Sequence, residues 1–539
     1  MRIFDWLSPD NIAQLFIYDP DQPLLFHTGQ FLLLFLLFMG VYLLLLGRKP
    51  MRTAWVFLFS LFFYYKSSGL YFLLLIFSTL VDYYLGFLIH RETDRKKARI
   101  YLIISIVVNL GILAIFKYTN FFIDTVNGIF ATPLSNLDII LPVGISFFTF
   151  QTMSYTIDIY RRKLEPVDNI LDFGFFVSFF PQLVAGPIVR AAQFLPQIRN
   201  NIEISAEDLG RAFLLICSGL FKKAVISDYI GTNFVDGIFE VPTLHTGFEN
   251  LMAVYGFALQ IYCDFSGYSD MAIGIGLLLG FRLPINFNSP YQSGSIQEFW
   301  RRWHISLSSW LRDYLYISMG GNRRGKFRTY INLLITMLLG GLWHGASWRF
   351  VVWGALHGVA LAIDRMLKHA KQWVRRKLSK GLDKLDEFML SEEGQNSDNK
   401  VANFLVQARW FMQGWFSLLL SVVVHLLSVI FTFHFVCFCW IFFRAESFEL
   451  AWDMIENIYL NFGGEIVGEV LSQKQSVFLL MIMGYLLHFI PDDIDNFVET
   501  YFIKSHFLVK AGVIAIFIWL VFIVQSGLDT PQQFIYFQF

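Results

Sequence analysis

An all-helical protein that crosses a membrane many times is the fold class this sequence predicts, and three observations predict it. The chain is 55% hydrophobic and only 16% charged, against about 25% charged in an ordinary soluble domain. Phe alone supplies 60 of the 539 residues, with 14 Trp beside it, and the mean hydropathy is +0.52. Charge-free runs close to the ~20 residues needed to span hydrocarbon recur along the whole chain, separated by loops that are basic and acidic in turn.

The first such run covers residues 24–46, and a pair at 53–65 and 70–89 surrounds Lys66. Residues 100–116 and 139–157 follow. The stretch 173–188 contains Pro181 and Gly186-Pro187 and reads as a re-entrant segment, which is tolerated at membrane depth only when buried in protein. Runs at 212–226, 251–281, 330–348, 350–363, 415–443, 477–490 and 507–524 bring the expectation to about 11–12 transmembrane helices plus re-entrant and interfacial helices. Residues 410–443 are free of charge over 34 positions, about 51 Å of helix, so a tilt or a break is expected there.

Lys and Arg set the orientation. Basic clusters at 48–52, 91–99, 161–163 and 301–328 mark one side as cytoplasmic, together with the charge-rich loop 364–409, in which 391–400 reads as disordered. Residues 228–250 hold four acids and no Lys or Arg, and 445–475 hold six acids and one Lys. These loops lie outside, as do both termini. The pattern predicts one membrane domain over residues 1–539, with its motif-bearing core at 140–445 and an aromatic tail at 531–539. No cleavable signal peptide is expected, because Asp5, Asp10 and Asp19 interrupt the first twenty residues. Zero net charge points away from nucleic acid. Cys217, Cys263, Cys437 and Cys439 sit in apolar runs without a C-x-x-C pair, so no thiolate metal site is expected.

Ionisable groups inside a bilayer are expensive, so each is a functional candidate. His344 lies in Gly340-Gly341-Leu342-Trp343-His344-Gly345, at the far end of a charge-free segment. Its glycines permit close helix approach or leave room for a narrow ligand; the residues alone leave open a glycine-packed helix pair with one buried imidazole. His304 falls in a segment where Trp300, Trp303, His304, Leu307, Leu311 and Tyr314 share one helical face, with Arg301 and Arg302 on the other. That pattern predicts an amphipathic helix at the inner interface, an anchor or a basic entrance for an anionic donor. The run 251–281 is interrupted by Asp264, Ser266, Tyr268 and Asp270, as a broken helix or as support for a site. His357, His425 and His434 read as packing histidines, and the remaining six as interfacial.

Joined in order, Phe180-Pro181-Gln182-Leu183-Val184-Ala185-Gly186-Pro187, the Tyr262–Asp270 run, Phe287-Asn288-Ser289-Pro290, Glu298-Phe299-Trp300-Arg301-Arg302-Trp303-His304, Gly320-Gly321-Asn322-Arg323, Gly341-Leu342-Trp343-His344-Gly345 and Trp440-Ile441-Phe442-Phe443-Arg444-Ala445 resemble the membrane-bound O-acyltransferase family. The likeness is strongest to its alginate O-acetylation branch, with the peptidoglycan O-acetylation and teichoic-acid D-alanylation membrane proteins as relatives. The resemblance implies a central tunnel, with His344 as the catalytic histidine and His304 as the second, inner-side one. It implies an O-acetyltransferase of the bacterial inner membrane that takes acetyl-CoA as donor substrate and holds no tightly bound cofactor or metal. Arg301, Arg302, Trp303, Asn322, Trp343, Asp264 and Tyr268 are the expected donor- and substrate-binding set. An extracytoplasmic acyltransferase or esterase-like partner and a polysaccharide acceptor complete the expectation. D-alanyl or other acyl transfer, and a transporter or scaffold without catalysis, are the alternatives. The tail Phe534-Ile535-Tyr536-Phe537-Gln538-Phe539 is similar to endings of small subunits in cell-envelope acylation systems. That likeness implies Tyr536 as an acyl relay; an interfacial aromatic anchor is the competing reading.

Overall fold

A computed structural model describes residues 15–20, 23–390, 415–526 and 534–535. Helices alone build it; no strand occurs among the described residues. Five stretches are long and apolar enough to cross a bilayer by themselves: Lys49–Arg91, Arg95–Phe130, Trp348–Ala370, Ser421–Arg444 and Phe507–Val524. Gly464–Gln473 and Gln475–His488, bent by 91°, make a sixth if taken as one span. The sequence suggested 11–12 crossings, more than the helices that meet this test. Other apolar runs fold as shorter helices, such as Gly29–Leu44, or as helices carrying buried charge, such as Gly247–Leu278.

Local chemistry explains several of these elements. Lys49–Ser68 and Phe72–Arg91 are separated at Gly69, whose φ of +58° no helix accommodates. Ser205 and Thr246 form capping boxes with Asp208 and Glu249 and so start Ala206–Leu220 and Gly247–Leu278. Lys326–His344 and Trp348–Leu390 pack through glycine. A Cβ on Gly341 would collide with the Phe350 carbonyl, and one on Gly354 with that of Met337.

Three expectations change and one is narrowed. The run 251–281 is not broken: Gly247–Leu278 is one helix of 32 residues. Its carboxylates are accommodated because lysines on the preceding segment face them, Lys223 Nζ at 2.6 Å from Asp264 and Lys222 Nζ at 2.7 Å from Asp270. The loop expected from 364 continues instead as helix to Leu390, since Lys, Arg, Leu and Asp-spaced apolar residues there include strong helix formers; the rest of that loop lies outside the described residues. Trp415–Arg444 runs unbroken for 30 residues, about 45 Å, which leaves tilt rather than a break. Finally, the single amphipathic helix around His304 is two short helices, Ile296–Arg302 and Ile305–Trp310. Residues 173–189 are buried throughout, the condition that irregular backbone at membrane depth requires.

Candidate functional site

The break at His304 is made by a second segment that claims its backbone. Asn288 N–H donates to Arg302 O at 2.9 Å, and Ile305 N–H donates to Asn286 O at 2.9 Å. These bonds replace the intrahelical ones, and His304 takes φ +42°, a left-handed conformation costly for a side chain with a Cβ and most often kept at functional sites. The turn carries Trp303 and His304 to full burial, 0% exposed each, instead of onto an interfacial surface.

The hydrogen bonds fix the His304 tautomer. Ser306 N–H donates to Asn286 Oδ1 at 3.2 Å, so that atom is an acceptor. Ser306 Oγ donates to it at 2.9 Å, and His304 Nδ1 lies 3.1 Å away. Nδ1 must therefore carry a proton, which leaves Nε2 of the neutral ring with a lone pair. Nε2 is buried and has no hydrogen-bond partner among the described residues. His304 lies outside the long apolar helices, and burial pushes its pKa down to about 3, which keeps the ring uncharged at neutral pH.

His344 is the last residue of Lys326–His344 and is 4% exposed. The Trp343 ring contacts both histidines, its centroid 6.0 Å from that of His304 and 5.1 Å from that of His344. The Trp343 indole N–H donates to Ser146 O at 3.3 Å. Phe265 and Phe147 flank His304 at 4.6 and 6.2 Å, while Trp353 and Phe443 flank His344 at 5.1 and 5.5 Å. A cleft of about 50 Å³ opens beside His344 and Trp343, lined also by Lys117, Ser146, Gly144 and Val184. It adjoins a second cleft of about 270 Å³ through Lys117 and Leu141, and that one adjoins a third, bearing Asp124, Glu446 and Glu449, through Ala346, Ser347 and Arg349.

The other expected site residues divide. Trp303 packs in the aromatic cluster, 5.1 Å from Phe287 and from Trp440. Asp264 and Tyr268 are buried on Gly247–Leu278, one residue before and three residues after the Phe265 that contacts His304. Asp264 pairs with Lys223, which also holds Asp228 at 2.8 Å. Arg301 is exposed, and Arg302 is engaged by Glu298 at 3.0 Å. Asn322 is exposed in the glycine turn and belongs to no buried cluster. Tyr536 lies outside the described residues, but its neighbours do not: Ile535 N–H donates to Asp264 Oδ2 at 2.8 Å, and Phe534 packs 5.5 Å from Phe265 and 5.1 Å from Tyr268. His357 accepts from the Trp300 indole at 3.3 Å, consistent with a packing role, and exposed His434 pairs with Tyr255 at 2.9 Å.

Sequence reasoning missed Asn286, Ser306, Lys223 and Lys117. The signal for Lys223 was present, since an acid buried at 264 requires a cation and Lys222-Lys223 ends an apolar run. Nothing local marked Asn286 as the partner of His304.

The family model of the membrane-bound O-acyltransferases matches residues 160–378, the segment that holds both histidines. The chain is 36% identical over 465 residues to a peptidoglycan O-acetyltransferase of Helicobacter pylori, covering 81% of this chain and 80% of that protein. It is 38% identical over 442 residues to the probable alginate O-acetylase AlgI of Pseudomonas aeruginosa, covering 81% and 75%. A teichoic acid D-alanyltransferase of Streptococcus thermophilus is 33% identical over 44% of this chain and 58% of its own length. A polytopic helical chain that buries two histidines around one tryptophan, and that matches acyl-transferring enzymes along four-fifths of its length, is an acyltransferase and belongs to the membrane-bound O-acyltransferase family.

Proposed function

We propose that this chain transfers an acetyl group from cytoplasmic acetyl-CoA, through the bacterial inner membrane, to O-acetylate an extracytoplasmic polysaccharide. The observation that carries the reading is the pair of buried imidazoles that both contact the Trp343 ring, His344 lining a cleft beside it. The names of the relatives, which act on peptidoglycan or alginate, support acetyl as the group and a cell-envelope or secreted glycan as the acceptor.

A hydroxyl is a poor nucleophile at neutral pH, and a neutral imidazole that takes its proton during attack contributes typically 10²–10⁴-fold. In this reading His344 is that base. The acceptor oxygen bonds to the thioester carbonyl carbon as its proton passes to His344; the carbon–sulfur bond then breaks, and the thiolate takes the proton back. His304, with its Nε2 lone pair, orients the donor arm by accepting from one of its amide N–H groups. Trp303 and Trp343 wall the arm, and Arg301 and Arg302 meet the coenzyme phosphates on the cytoplasmic side. Both termini lie on the extracytoplasmic side in this orientation. The tail supplies the outward step: residues 534–535 dock on the helix that carries Asp264, and Tyr536 follows them in the chain. Acylation of that phenol, followed by transfer to an extracytoplasmic partner, splits one long transfer into two short ones.

Purified protein in nanodiscs, supplied with radiolabelled acetyl-CoA, tests the reading. His344→Ala should abolish acetyl transfer while the protein elutes as a folded peak, and alanyl donors should be ignored. Wild-type levels of transfer in His344→Ala would reject it as the base. Tyr536→Phe removes only a hydroxyl; full glycan acetylation in that variant would leave the tail as an anchor.

A further inference from the structure

The helix that ends at His344 is closed by side chains from elsewhere in the chain. A helix leaves its last four carbonyls without intrahelical donors, and here each of the four is satisfied. Gly345 N–H donates to Gly341 O at 3.3 Å. The Tyr118 hydroxyl donates to Leu342 O at 2.6 Å. Lys117 Nζ donates to Trp343 O at 2.8 Å and to His344 O at 2.9 Å. Both side chains come from Ala114–Tyr118, a turn wound as π-helix, a geometry that occurs mostly as single turns at functional sites.

Capping alone does not require a cation here. The glycine that follows His344 already closes one bond, and a neutral tyrosine closes another. A lysine within a long apolar helix is costly, and the negative end of the Lys326–His344 dipole is what holds it in place. An ammonium has three N–H donors. Two go to the carbonyls of Trp343 and His344, and a third remains. Lys117 lines the cleft that contains His344 and also the cleft outside it, so a group moving from one to the other passes this charge.

We propose that Lys117 is the oxyanion-stabilising group of this site, donating its third N–H to the acyl carbonyl oxygen as that carbon becomes tetrahedral. The inference rests on the acyl-thioester reading above. When the acceptor oxygen bonds to the carbonyl carbon, the carbonyl π pair moves onto oxygen, where the Lys117 N–H receives it, and the acceptor's proton goes to His344. On collapse the pair returns, the carbon–sulfur bond breaks and the thiolate recovers the proton. Lys117 keeps all its protons throughout. Because the donor is anchored to the carbonyls of Trp343 and His344, base and oxyanion donor move as one unit. Loss of a preorganised oxyanion donor costs about 10²–10³-fold in turnover.

The test is thiol release from acetyl-CoA by protein in nanodiscs, with water as the acceptor, for wild type, His344→Ala, Lys117→Gln, Lys117→Arg and Tyr118→Phe. Lys117→Gln keeps donors for the carbonyls but no charge; its kcat should fall ~10²–10³-fold with KM within about threefold. Lys117→Arg should recover part of the loss, and Tyr118→Phe, which removes a cap alone, should stay within about fivefold. Equal losses in Lys117→Gln and Tyr118→Phe would reduce Lys117 to a cap and overturn the proposal, as would a Gln variant with wild-type kcat. If the Gln variant does not elute as folded protein, Lys117→Arg decides: a loss in kcat supports the assignment and a loss confined to KM overturns it. A wild-type protein that releases no thiol overturns the acyl-CoA reading and this inference together; a wild type that does, with an inert His344→Ala, leaves the reading standing whatever Lys117 shows.

Discussion

Lys223→Met removes the cation that bridges two buried carboxylates. Lys223 Nζ lies 2.8 Å from Asp228 Oδ1 and 2.6 Å from Asp264 Oδ1, with side-chain exposures of 2%, 1% and 0%. Breaking a buried ion pair by deleting one partner costs ~3–5 kcal/mol, because an uncompensated charge is left behind. Two carboxylates are stranded here, so the upper end applies. Unfolding entropy of ~2.1 cal/mol/K per residue converts about 5 kcal/mol into a Tm drop of roughly 4 °C for a chain of 539 residues that melts as one unit, and into more if only the packed helices melt. Thermal size-exclusion of protein in detergent reads this directly. Lys223→Met combined with Asp228→Asn and Asp264→Asn removes the stranded charge and should recover most of the loss. A Lys223→Met protein that melts within 1 °C of wild type, or a combined variant no better than the single one, would refute the view that charge pairing holds Ala206–Leu220 and its continuation against Gly247–Leu278.

Three further outcomes are expected. In His304→Gln the fall in stability with decreasing pH should be shallower than in wild type: a ring with its folded pKa at about 3 and an ordinary value near 6.5 takes up its proton in the unfolded chain first, so wild type loses stability as pH drops from about 6.5 towards 3, and melting at pH 7, 5 and 4 reads the slope. Gly341→Val should destabilise by at least ~2 kcal/mol and cut turnover with it, because its Cβ would meet the Phe350 carbonyl and push apart the helices that hold His344; thermal melting checks it. Single cysteines at 91–99 and 161–169 should resist an impermeant reagent in intact spheroplasts, and those at the exposed positions Thr232, Glu240 and Thr243 of 228–250 and Glu446, Glu449 and Asn461 of 445–475 should react, as the Lys/Arg alternation requires.

Both histidines were legible in the sequence because each sits in a compact string, Trp303-His304 and Trp343-His344-Gly345, and because charge-bearing residues in apolar runs are few enough to inspect one by one. The periodicity around His304 was partly informative: Trp300, Leu307, Leu311 and Tyr314 are all buried, as one apolar face predicts. It failed on the backbone. A helix is the local preference, but Asn286 and Asn288, well upstream, supply backbone partners to Arg302 and Ile305, and no pattern within the segment encodes that competition. Lys117 was hidden for a similar reason. It closes the end of a helix 226 positions further on, and its own surroundings present only an apolar run with one interruption. The Asp264 segment misled in the opposite direction. Polar residues in an apolar run suggested a break, yet a helix backbone tolerates any side chain whose charge is met, and Lys223 meets it.

The cleft can be located from the backbone alone. In hydrocarbon every N–H and C=O must be satisfied within the protein, so irregular backbone survives only where it is enclosed or lines a cavity. The walls of the cleft beside His344 come from such places. Gly144, with φ +73°, caps the start of Ile145–Tyr160; Val184 follows the four-residue helix Phe180–Leu183; Lys117 lies in a π-turn; His344 is a helix end. Gly144 and Val184 are pressed together, since a Cβ on Gly144 would lie 2.5 Å from Leu183 O and 3.3 Å from Val184 Cα. Each interruption would be a liability alone. Together they form a short passage whose lining offers backbone dipoles and one cation where continuous helices would offer only side-chain hydrocarbon. An acyltransferase that handles polar reactants inside a bilayer needs such a lining. The sequence provides it by stopping helices at glycine, proline and histidine, and a lysine from a distant turn closes the end that carries His344.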